Sequence, residues 1–338
     1  MIRVGLIGNG MMGNVHLDVY AQLPDVQVVA LSDRIPERRS GLAHTTLNVQ
    51  SAKSGFNGYA QARQYAEGSE LIADPDIDLI DICVPTPQHV ELALAALQAG
   101  KHVLVEKPLA RKPADAQRLI DAARTSPGYI MCAMCMRFWP GWSWLKETID
   151  KGTYGRVLAA QFRRVASFPG GWYQDAKDSG GAALDLHVHD TDFIHYCFGM
   201  PKAVRSVGYA RDTAGIDHIS TQYLFENIPL VTAEGGWSMA KGFNFHMQYC
   251  VNFEQATAVF DLSQPHPLRL FPRQGTPTDV ELPPGMGYNH EIRYLLDCIA
   301  SKTRPTTVTL EHATASLRIA QAERESVTSG KTVTLNND

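Results

Sequence analysis

Residues 3–13 read Arg-Val-Gly-Leu-Ile-Gly-Asn-Gly-Met-Met-Gly, and this stretch decides the fold of the first part of the chain. An apolar strand, Arg3–Ile7, leads into a glycine-rich turn and then into a helix predicted over residues 12–23. The turn carries the pattern G-x-G-x-x-G, whose members are Gly8, Asn9, Gly10, Met11, Met12 and Gly13. Such glycines permit a tight turn, close approach of the backbone to a pyrophosphate, and close helix–strand packing. In this strand–turn–helix context the pattern predicts a dinucleotide-binding site.

An acidic residue follows at the place where such a site needs one. Asp33 follows the end of the second predicted strand, Val26–Leu31, and lies about 20 residues beyond the glycines. Its carboxylate can accept hydrogen bonds from ribose hydroxyls and would repel a 2′-phosphate, which favours NAD. Arg34 keeps NADP as an alternative, because a guanidinium can bind a 2′-phosphate or stack on adenine.

Strand and helix patterns alternate through the first ~125 residues, as expected for an α/β unit with a doubly wound parallel sheet covered on both faces. We therefore assign residues 1–125 to an NAD(P)-binding Rossmann domain. The later strands are predicted at residues 76–84, 103–105 and 129–134. The later helices are predicted around residues 69–72, 88–99 and 114–125.

Two loops leave the carboxyl ends of strands in this predicted sheet, at the edge where open α/β sheets bind ligands. The first reads Val84-Pro85-Thr86-Pro87-Gln88-His89, and its two prolines form a stiff shelf suited to one face of a nicotinamide. The second is the end of Val103-Leu104-Val105-Glu106-Lys107-Pro108, where Pro108 holds Lys107 away from helical geometry. Taken alone, the first loop is also typical of an ordinary βα connection. Lys107, taken alone, is equally typical of a solvent-exposed lysine at the end of a strand.

The second part of the chain shows a different pattern. Helices are predicted at residues 145–151, 182–198, 291–300 and 311–326, and strands at 204–209, 220–225, 230–237, 243–252 and 256–262. Consecutive strands with turn signals between them predict an α+β domain over residues 126–338, with a large, mainly antiparallel open sheet covered by helices on one face. Its C-terminal helices could pack back on the first domain.

A dense polar segment follows Gly180-Gly181 in this second part. Asp185 and His189 are four residues apart, so a continuous helix would place them on one face, where a carboxylate can orient an imidazole and raise its basicity. A surface helix with an ordinary Asp–His pair is the alternative. Metal binding through His187 and His189 with Asp192 or His195 is disfavoured because neighbouring helical histidines diverge, and no metal is predicted.

Composition narrows the classes of function. The net charge of −4 is spread without a basic run, which argues against nucleic acid and anionic membranes as partners. No apolar run reaches the ~18 residues that span a bilayer, and the N-terminus lacks the layout of a secretory signal. Six scattered cysteines suggest reduced, buried thiols and a cytoplasmic location. Cys132 and Cys135 form a C-x-x-C pair, but no second pair completes a zinc site.

With these motifs in place, the chain resembles the glucose–fructose oxidoreductase / inositol dehydrogenase / MocA family over nearly its whole length. The resemblance rests on the glycine turn, the Pro85–His89 loop, Glu106-Lys107-Pro108, and the segment from Gly180 to Asp192. It implies a Rossmann domain, a second domain whose open sheet forms a homodimer or homotetramer interface, a nicotinamide cofactor, and sugar or cyclitol substrates.

The resemblance also implies roles for individual residues. Lys107 matches the family's active-site lysine, and Asp185 and His189 match its Asp-x-x-x-His motif. The expected cofactor contacts are the glycine turn, Asp33, Arg34, Pro85, Thr86, His89, Glu106 and Lys107. Two features depart from the family pattern. His187 stands where many relatives carry a small residue, and the stretch over residues 45–58 is longer than usual.

The chemistry that follows is hydride transfer from a secondary alcohol. His189 accepts the hydroxyl proton, Lys107 stabilises the developing alkoxide, and Asp185 orients His189 or a neighbouring hydroxyl. Arg137, Trp172 and Tyr173 are expected to line the substrate pocket together with these three, although aromatic packing between the domains explains them equally well.

Three functions remain open at this point. The leading one is an NAD-dependent oxidoreductase that acts on a CH–OH group of a sugar, a sugar derivative or an inositol. The alternative is an NAD-dependent glycosidase that oxidises its substrate transiently and eliminates the aglycone. A non-catalytic NAD-binding sensor is the third, and the set of Lys107, Asp185 and His189 argues against it.

Overall fold

A computed structural model describes residues 1–42 and 56–335. The chain divides into two compact units. The first comprises Met1–Cys135 and Tyr288–Thr314, and the second comprises Met136–Gly287 and the chain from Ala315 onward. Most of the 45–58 stretch lies outside the described residues. The division into a cofactor domain over 1–125 and a substrate domain over 126–338 stays a prediction.

The first unit contains a six-stranded parallel sheet with the order β3-β2-β1-β4-β5-β6. Its strands are β1 (Ile2–Ile7), β2 (Val26–Ser32), β3 (Arg63–Tyr65), β4 (Leu79–Ile82), β5 (His102–Glu106) and β6 (Ile130–Ala133). The order is that of a doubly wound sheet, whose direction of winding reverses between β1 and β4. The predicted Rossmann fold is therefore confirmed, and the ligand edge lies outside the carboxyl ends of β1 and β4.

The α-helices of the described residues are, in chain order, α1 (Met11–Tyr20), α2 (Pro36–Arg39), α3 (Gly68–Ile72), α4 (His89–Gln98), α5 (Pro113–Thr125), α6 (Pro140–Lys151), α7 (Ala176–Ser179), α8 (Ala182–Asp185), α9 (Val188–Phe198), α10 (Gly287–Ser301) and α11 (Leu310–Ser329).

The second unit contains a nine-stranded sheet with the order β14-β13-β12-β11-β7-β10-β9-β8-β15. Its strands are β7 (Val157–Ser167), β8 (Ala203–Tyr209), β9 (His218–Leu224), β10 (Leu230–Met239), β11 (His246–Phe253), β12 (Ala256–Asp261), β13 (Leu268–Pro272), β14 (Thr278–Asp279) and β15 (Val333–Thr334). Every pair is antiparallel except β7 with β10. The mainly antiparallel sheet is confirmed.

Residue burial alternates along these strands, as expected for a sheet with one covered face. On the covered face, Trp142 of α6 is fully buried among aromatic rings. Its ring centroid lies 4.8 Å from that of Phe193, 5.4 Å from Tyr249 and 5.5 Å from Phe162. On the open face lies Cys250, which is exposed, so the prediction that all six thiols are buried is wrong there.

The long central strand β7 escaped prediction, because its core face carries a charge. Arg164 is only 3% exposed and forms a two-point ion pair with Asp190, with distances of 2.9 and 3.2 Å. A buried guanidinium interrupts the apolar–polar alternation by which a strand is recognised. The ion pair connects β7 to α9, on which Asp190 lies.

The helix predicted over residues 182–198 is interrupted at Leu186 and His187. The N–H of His187 donates to Ala182 O, five residues back, and the N–H of His189 reaches Leu186 O at 3.4 Å. Asp185 ends α8, and His189 lies in the first turn of α9. The continuous helix predicted over residues 182–198 is therefore wrong at Leu186 and His187, because the hydrogen bonding there is not that of a regular α-helix. That Asp185 and His189 share one face stays a prediction.

Candidate functional site

The glycine turn has the geometry that its sequence demands. Gly8 has φ +95°, and an added Cβ would lie 2.6 Å from Cys83 O at the end of β4. An added Cβ on Gly13 would lie 2.1 Å from Gly8 O. Side chains are therefore excluded at both positions, one by backbone conformation and contact, the other by contact between helix and turn.

The third glycine serves a different purpose. An added Cβ on Gly10 would meet no described atom closer than Arg38 Nη1, at 3.9 Å, so its surface is open. Gly10 is the N-cap of α1 and supplies no side chain to bond the helix's first N–H groups. Those N–H groups and the helix dipole favour an anion, and the open glycine lets a pyrophosphate come close.

Asp33 is tied to this turn directly. Its Oδ2 accepts the backbone N–H of Asn9 at 2.9 Å, and its Oδ1 accepts that of Ile35 at 2.9 Å. A carboxylate has about four lone-pair sites, so two backbone bonds leave acceptor capacity for ribose hydroxyls. The two backbone hydrogen bonds thus fix the position of the carboxylate, and it can still accept hydrogen bonds from a ligand.

The arginines that follow Asp33 separate into two groups. Arg34 is exposed, and its guanidinium lies 3.4 Å from Glu67 on the surface. Arg39 instead donates from Nη1 to Asp33 O at 2.6 Å, and Arg38 is the nearest side chain to Gly10. The guanidinium beside Gly10 is therefore that of Arg38, which the sequence analysis did not single out, and the predicted cofactor contact of Arg34 stays a prediction.

His89 joins the two loops predicted at the ligand edge. Its Nε2 lies 2.8 Å from Val84 O and its Nδ1 lies 2.9 Å from Pro108 O. The ring is 1% exposed, and burial lowers its pKa against the opposing effect of the two carbonyls. His89 thus connects the end of β4 to the segment after β5, while Pro85 and the buried Thr86 lie in the turn between Val84 and His89.

Lys107 follows β5 directly and is partly buried. Its backbone N–H donates to Oε2 of Glu106 at 2.9 Å. The other oxygen of Glu106 lies 3.4 Å from Nε2 of His16 on α1. The predicted active-site lysine is thus linked through its neighbour to the helix that begins at the glycine turn.

His16 belongs to a buried polar cluster that sequence reasoning missed. Its Nδ1 lies 2.8 Å from Asp81 Oδ2, which also accepts the Tyr20 hydroxyl at 2.8 Å. Cys83 Sγ lies 3.4 Å from the same imidazole nitrogen. An acid inside an apolar strand, as Asp81 is inside β4, was the signal that could have revealed the cluster, because buried carboxylates require partners.

The ionisation states within this cluster follow from its charges. Burial alone lowers the pKa of His16, but the charge of Asp81 and the hydrogen bonds outweigh it and hold that pKa well above its usual range. Burial, and then the charge of Glu106, raise the pKa of Glu291 on α10 well above its usual range. These shifts favour the cationic form of His16 and the protonated form of Glu291.

His16, Asp81 and Cys83 also form a group of potential metal ligands, with all three donor atoms within 4.8 Å of one another. The imidazole and the carboxylate already lie at hydrogen-bonding distance from each other, and burial keeps the Cys83 thiol protonated by raising its pKa. This bonding favours a hydrogen-bonded cluster over a metal centre.

In the second unit, two glycines lead into the predicted catalytic segment. Gly180 and Gly181 have φ of +83° and +74°, and an added Cβ on Gly181 would lie 2.8 Å from Ile216 O. Before them, the Trp172 and Tyr173 rings lie 4.4 Å apart, and the Tyr173 ring meets Trp237 edge-on at 5.7 Å. Both aromatic residues are half-buried.

The acids of this segment have different partners. Asp190 pairs with Arg164, as described above, and Asp192 forms a two-point ion pair with Arg137 at 2.7 and 2.8 Å. The Arg137 guanidinium also lies over the Tyr196 ring at 4.4 Å, and its side chain is fully buried. These contacts give Arg137 a structural partner, and its role in binding the substrate stays a prediction.

His187 lies in a second buried network. Its Nε2 is 3.2 Å from the Tyr223 hydroxyl and 3.5 Å from Glu323, and that hydroxyl donates to Glu323 at 2.5 Å. Burial lowers the pKa of His187, but the charge and hydrogen bond of Glu323 outweigh it and raise that pKa. Gly235 makes room for the ring, since an added Cβ would lie 2.4 Å from His187 Nδ1.

Asp185 and His189 are the predicted catalytic residues of this segment. Asp185 is 8% exposed, and His189 is half-buried at the start of α9. Lys107 belongs to the first unit, and these two residues belong to the second. Their joint action remains a prediction.

Profiles of one protein family match both the N-terminal and the C-terminal part of the chain. Residues 2–133 match the profile of an oxidoreductase family with an NAD-binding Rossmann fold, and residues 142–259 match the profile of the same family's C-terminal domain. The chain belongs to the Gfo/Idh/MocA oxidoreductase family. The two matches together span about three-quarters of the sequence.

Two dehydrogenases illustrate how similar the chain is to proteins of known name. The chain is 32% identical over 200 residues to a myo-inositol 2-dehydrogenase of Thermotoga maritima, covering 59% of this chain and 55% of that protein. It is 30% identical over 213 residues to a levoglucosan dehydrogenase of Pseudarthrobacter phenanthrenivorans, covering 61% and 53%. The matches thus span little more than half the length of these relatives.

A solved structure has the same fold. A levoglucosan dehydrogenase in complex with NADH and levoglucosan superposes with a TM-score of 0.86, covering 99% of this chain and 100% of that one, at 22% identity. Among the described residues of the present chain, no helix is long and apolar enough to cross a membrane.

Proposed function

We propose that this Gfo/Idh/MocA protein is an NAD-dependent dehydrogenase that transfers a hydride between a secondary CH–OH group of a sugar, a sugar derivative or an inositol and a nicotinamide. One observation carries the proposal. The carboxyl edge of the first sheet collects the glycine turn after β1, Asp33 after β2 and Lys107 after β5, around the point where the winding reverses.

The residues of the first unit fit the cofactor. The open surface of Gly10 and the first turn of α1 would hold the pyrophosphate, and Asp33 would accept the ribose hydroxyls. Pro85 and Thr86, on the loop after β4, would lie against the nicotinamide. NAD supplies the hydride acceptor when it is bound. Arg38, beside Gly10, supports NADP as the second candidate cofactor.

The chain's own residues then supply acid–base and electrostatic catalysis. His189 takes the hydroxyl proton as the C–H bond breaks, and Lys107 stabilises the alkoxide that develops on the same oxygen. Asp185 orients the imidazole. In the reverse direction His189 returns the proton to the carbonyl oxygen. Trp172 and Tyr173 offer surfaces on which a polyol ring can stack.

A screen of sugars and cyclitols for NADH formation tests the proposal, and it starts with myo-inositol and levoglucosan, the substrates in the relatives' names. With an accepted substrate, His189→Ala should lower kcat about 10²–10⁴-fold, as expected for loss of a general base. His266→Ala is the matched control, because His266 is exposed.

The alternatives are separated by the same screen. If a chromogenic glycoside releases its aglycone without net NADH formation, the chain is an NAD-dependent glycosidase. If NADH binds but neither reaction occurs across the panel, the protein is a sensor and the dehydrogenase proposal fails.

We also propose that the protein is a homodimer or homotetramer in the cytoplasm. The open face of the second sheet carries Val207, Tyr209 and Leu230 at 66%, 50% and 45% exposure, and Phe271 lies on the same sheet. All six cysteines of the described chain are free thiols, which suits a reducing compartment. Sedimentation of wild type and of Val207→Glu tests the assembly, and identical monomeric profiles would contradict it.

A further inference from the structure

The buried cluster of the first unit places an imidazole between two carboxylates from neighbouring strands. His16 Nδ1 lies at hydrogen-bonding distance, 2.8 Å, from Asp81 of β4. His16 Nε2 lies 3.4 Å from Oε1 of Glu106 of β5, a distance that suits an ion pair but without the geometry of a hydrogen bond. His16 and Asp81 are fully buried, and Glu106 is 5% exposed. Since isolated buried charges are costly, these three groups constrain one another's positions.

Glu106 has a second partner, and that partner matters for function. Its Oε2 accepts the backbone N–H of Lys107 at 2.9 Å, while its Oε1 faces His16. We propose that Glu106 and His16 are positioning residues for Lys107: the Glu106 carboxylate fixes the backbone of Lys107, and His16, anchored by Asp81, fixes the carboxylate. This inference rests on the proposed function for the role of Lys107, and it assigns Glu106 to Lys107 rather than to the cofactor.

The surrounding groups support this arrangement. Oδ2 of Asp81, which lies next to His16 Nδ1, also accepts a hydrogen bond from the Tyr20 hydroxyl at 2.8 Å. Cys83 Sγ lies 3.4 Å from His16 Nδ1, and the Tyr288 ring centroid lies 6.5 Å from that of the imidazole. Glu291 interacts with His16 through its charge, and burial raises the pKa of both Cys83 and Glu291. The imidazole faces a carboxylate on each side.

The chain after Lys107 is held independently. His89 reaches Pro108 O at 2.9 Å from one ring nitrogen and Val84 O at 2.8 Å from the other. Because burial lowers the pKa of His89, the neutral ring has one N–H and donates to one of these two carbonyls. The hydrogen bond from the Lys107 N–H to Glu106 is therefore the contact on which the proposal rests.

Hydrogen exchange of the Lys107 amide tests the proposal without any substrate. Glu106→Ala should speed exchange in a peptide spanning residues 104–109 about 10- to 100-fold, the effect of losing a hydrogen bond to a charged acceptor. Glu106→Gln, which keeps an acceptor oxygen, should recover part of the protection. Glu91→Ala is the control, since Glu91 is an exposed acid paired with Arg118.

Turnover provides the second readout. Glu106→Ala and His16→Gln should each lower kcat at least about fivefold while the Kd for NADH changes less than about threefold. Because both act through Lys107, the double variant should be no slower than Glu106→Ala alone. In a Lys107→Ala background, adding Glu106→Ala should leave the residual rate unchanged.

The outcomes are separable. Unchanged exchange at Lys107 in Glu106→Ala overturns the inference, whatever the enzyme's substrate. Multiplicative losses in the double variant overturn the claim that His16 acts through Glu106. If no substrate is found, the proposed dehydrogenase function fails, whereas the exchange measurement still decides whether Glu106 holds the backbone of Lys107.

Discussion

Replacing Tyr223 with phenylalanine removes one hydroxyl from the buried network around His187. That hydroxyl donates to Glu323 at 2.5 Å and lies 3.2 Å from both Thr191 Oγ1 and His187 Nε2. A hydrogen bond to a charged group contributes about 1.5–3 kcal/mol. In a unit of this size, 1 kcal/mol shifts the melting temperature by roughly 2–4 °C, so we expect a loss of roughly 3–12 °C.

Thermal unfolding followed by circular dichroism measures this loss, and Tyr154→Phe is the matched control. Tyr154 lies just before β7, is only half-buried, and its ring centroid lies 6.1 Å from that of Phe253. Its replacement should change the melting temperature by less than about 2 °C, as is usual for surface changes. Equal melting temperatures for the two variants would refute the view that the His187 network stabilises the second unit.

Three further predictions concern the first unit. Gly13→Ala should destabilise the turn, because its Cβ would lie 2.1 Å from Gly8 O, whereas Gly10→Ala should preserve the melting temperature and weaken NADH binding at least about tenfold in a fluorescence titration. Asp33→Ala should shift the ratio of kcat/KM values toward NADP at least about tenfold, because the carboxylate that repels a 2′-phosphate is lost; an unchanged ratio would place cofactor selection elsewhere. The pKa of Glu291 is higher in the folded protein than in the unfolded chain. Below about pH 4.5 the carboxyl is protonated in both states, so it does not lower the free energy of unfolding. As the pH rises from there toward the folded pKa, the free energy of unfolding falls by about 1.4 kcal/mol per pH unit. Glu291→Gln should flatten that decline in denaturant titrations, and an unchanged slope would show that Glu291 is ionised in the folded protein.

Much of the first unit could be predicted from local sequence. The glycine turn and Asp33 are separated by a single strand–helix–strand passage, and the structure joins them through the Asn9 N–H. Strand and helix periodicities located five of the six parallel strands, because these five are largely apolar runs. The prediction missed β3 (Arg63–Tyr65), which is only three residues long and mostly polar. The ends were less accurate: the strand predicted over residues 76–84 shortens to Leu79–Ile82, with the Asp78 carboxylate turned to Arg3.

The remaining features depend on contacts between distant residues. His16 and Asp81 are 65 positions apart, and Thr191 and Glu323 are 132 positions apart. Nothing near His16 in the sequence distinguishes it from an ordinary helical histidine, and its charge follows only from the carboxylates that the fold brings beside it. Buried polar partners are therefore the features that a single sequence conceals.

The segment around His187 illustrates the limit of periodicity. Its residues suggested one helix, with Asp185 and His189 on a common face. The structure interrupts the helix there, and the His187 ring packs against Gly235, where an added Cβ would lie 2.4 Å from His187 Nδ1. A pattern of spacing cannot reveal a compensating space on a strand nearly 50 residues later.

Transfer of deuterium tests the central claim most directly. A polyol accepted in the screen, labelled with deuterium at the reacting carbinol carbon, is incubated with NAD and the enzyme, and the reduced cofactor is analysed by mass spectrometry. Direct hydride transfer predicts reduced cofactor that carries the deuterium, with its rate of formation lowered in Lys107→Ala and unchanged in Lys151→Ala, whose side chain is exposed. Reduced cofactor without deuterium, or equal rates in wild type and Lys107→Ala, would contradict the account.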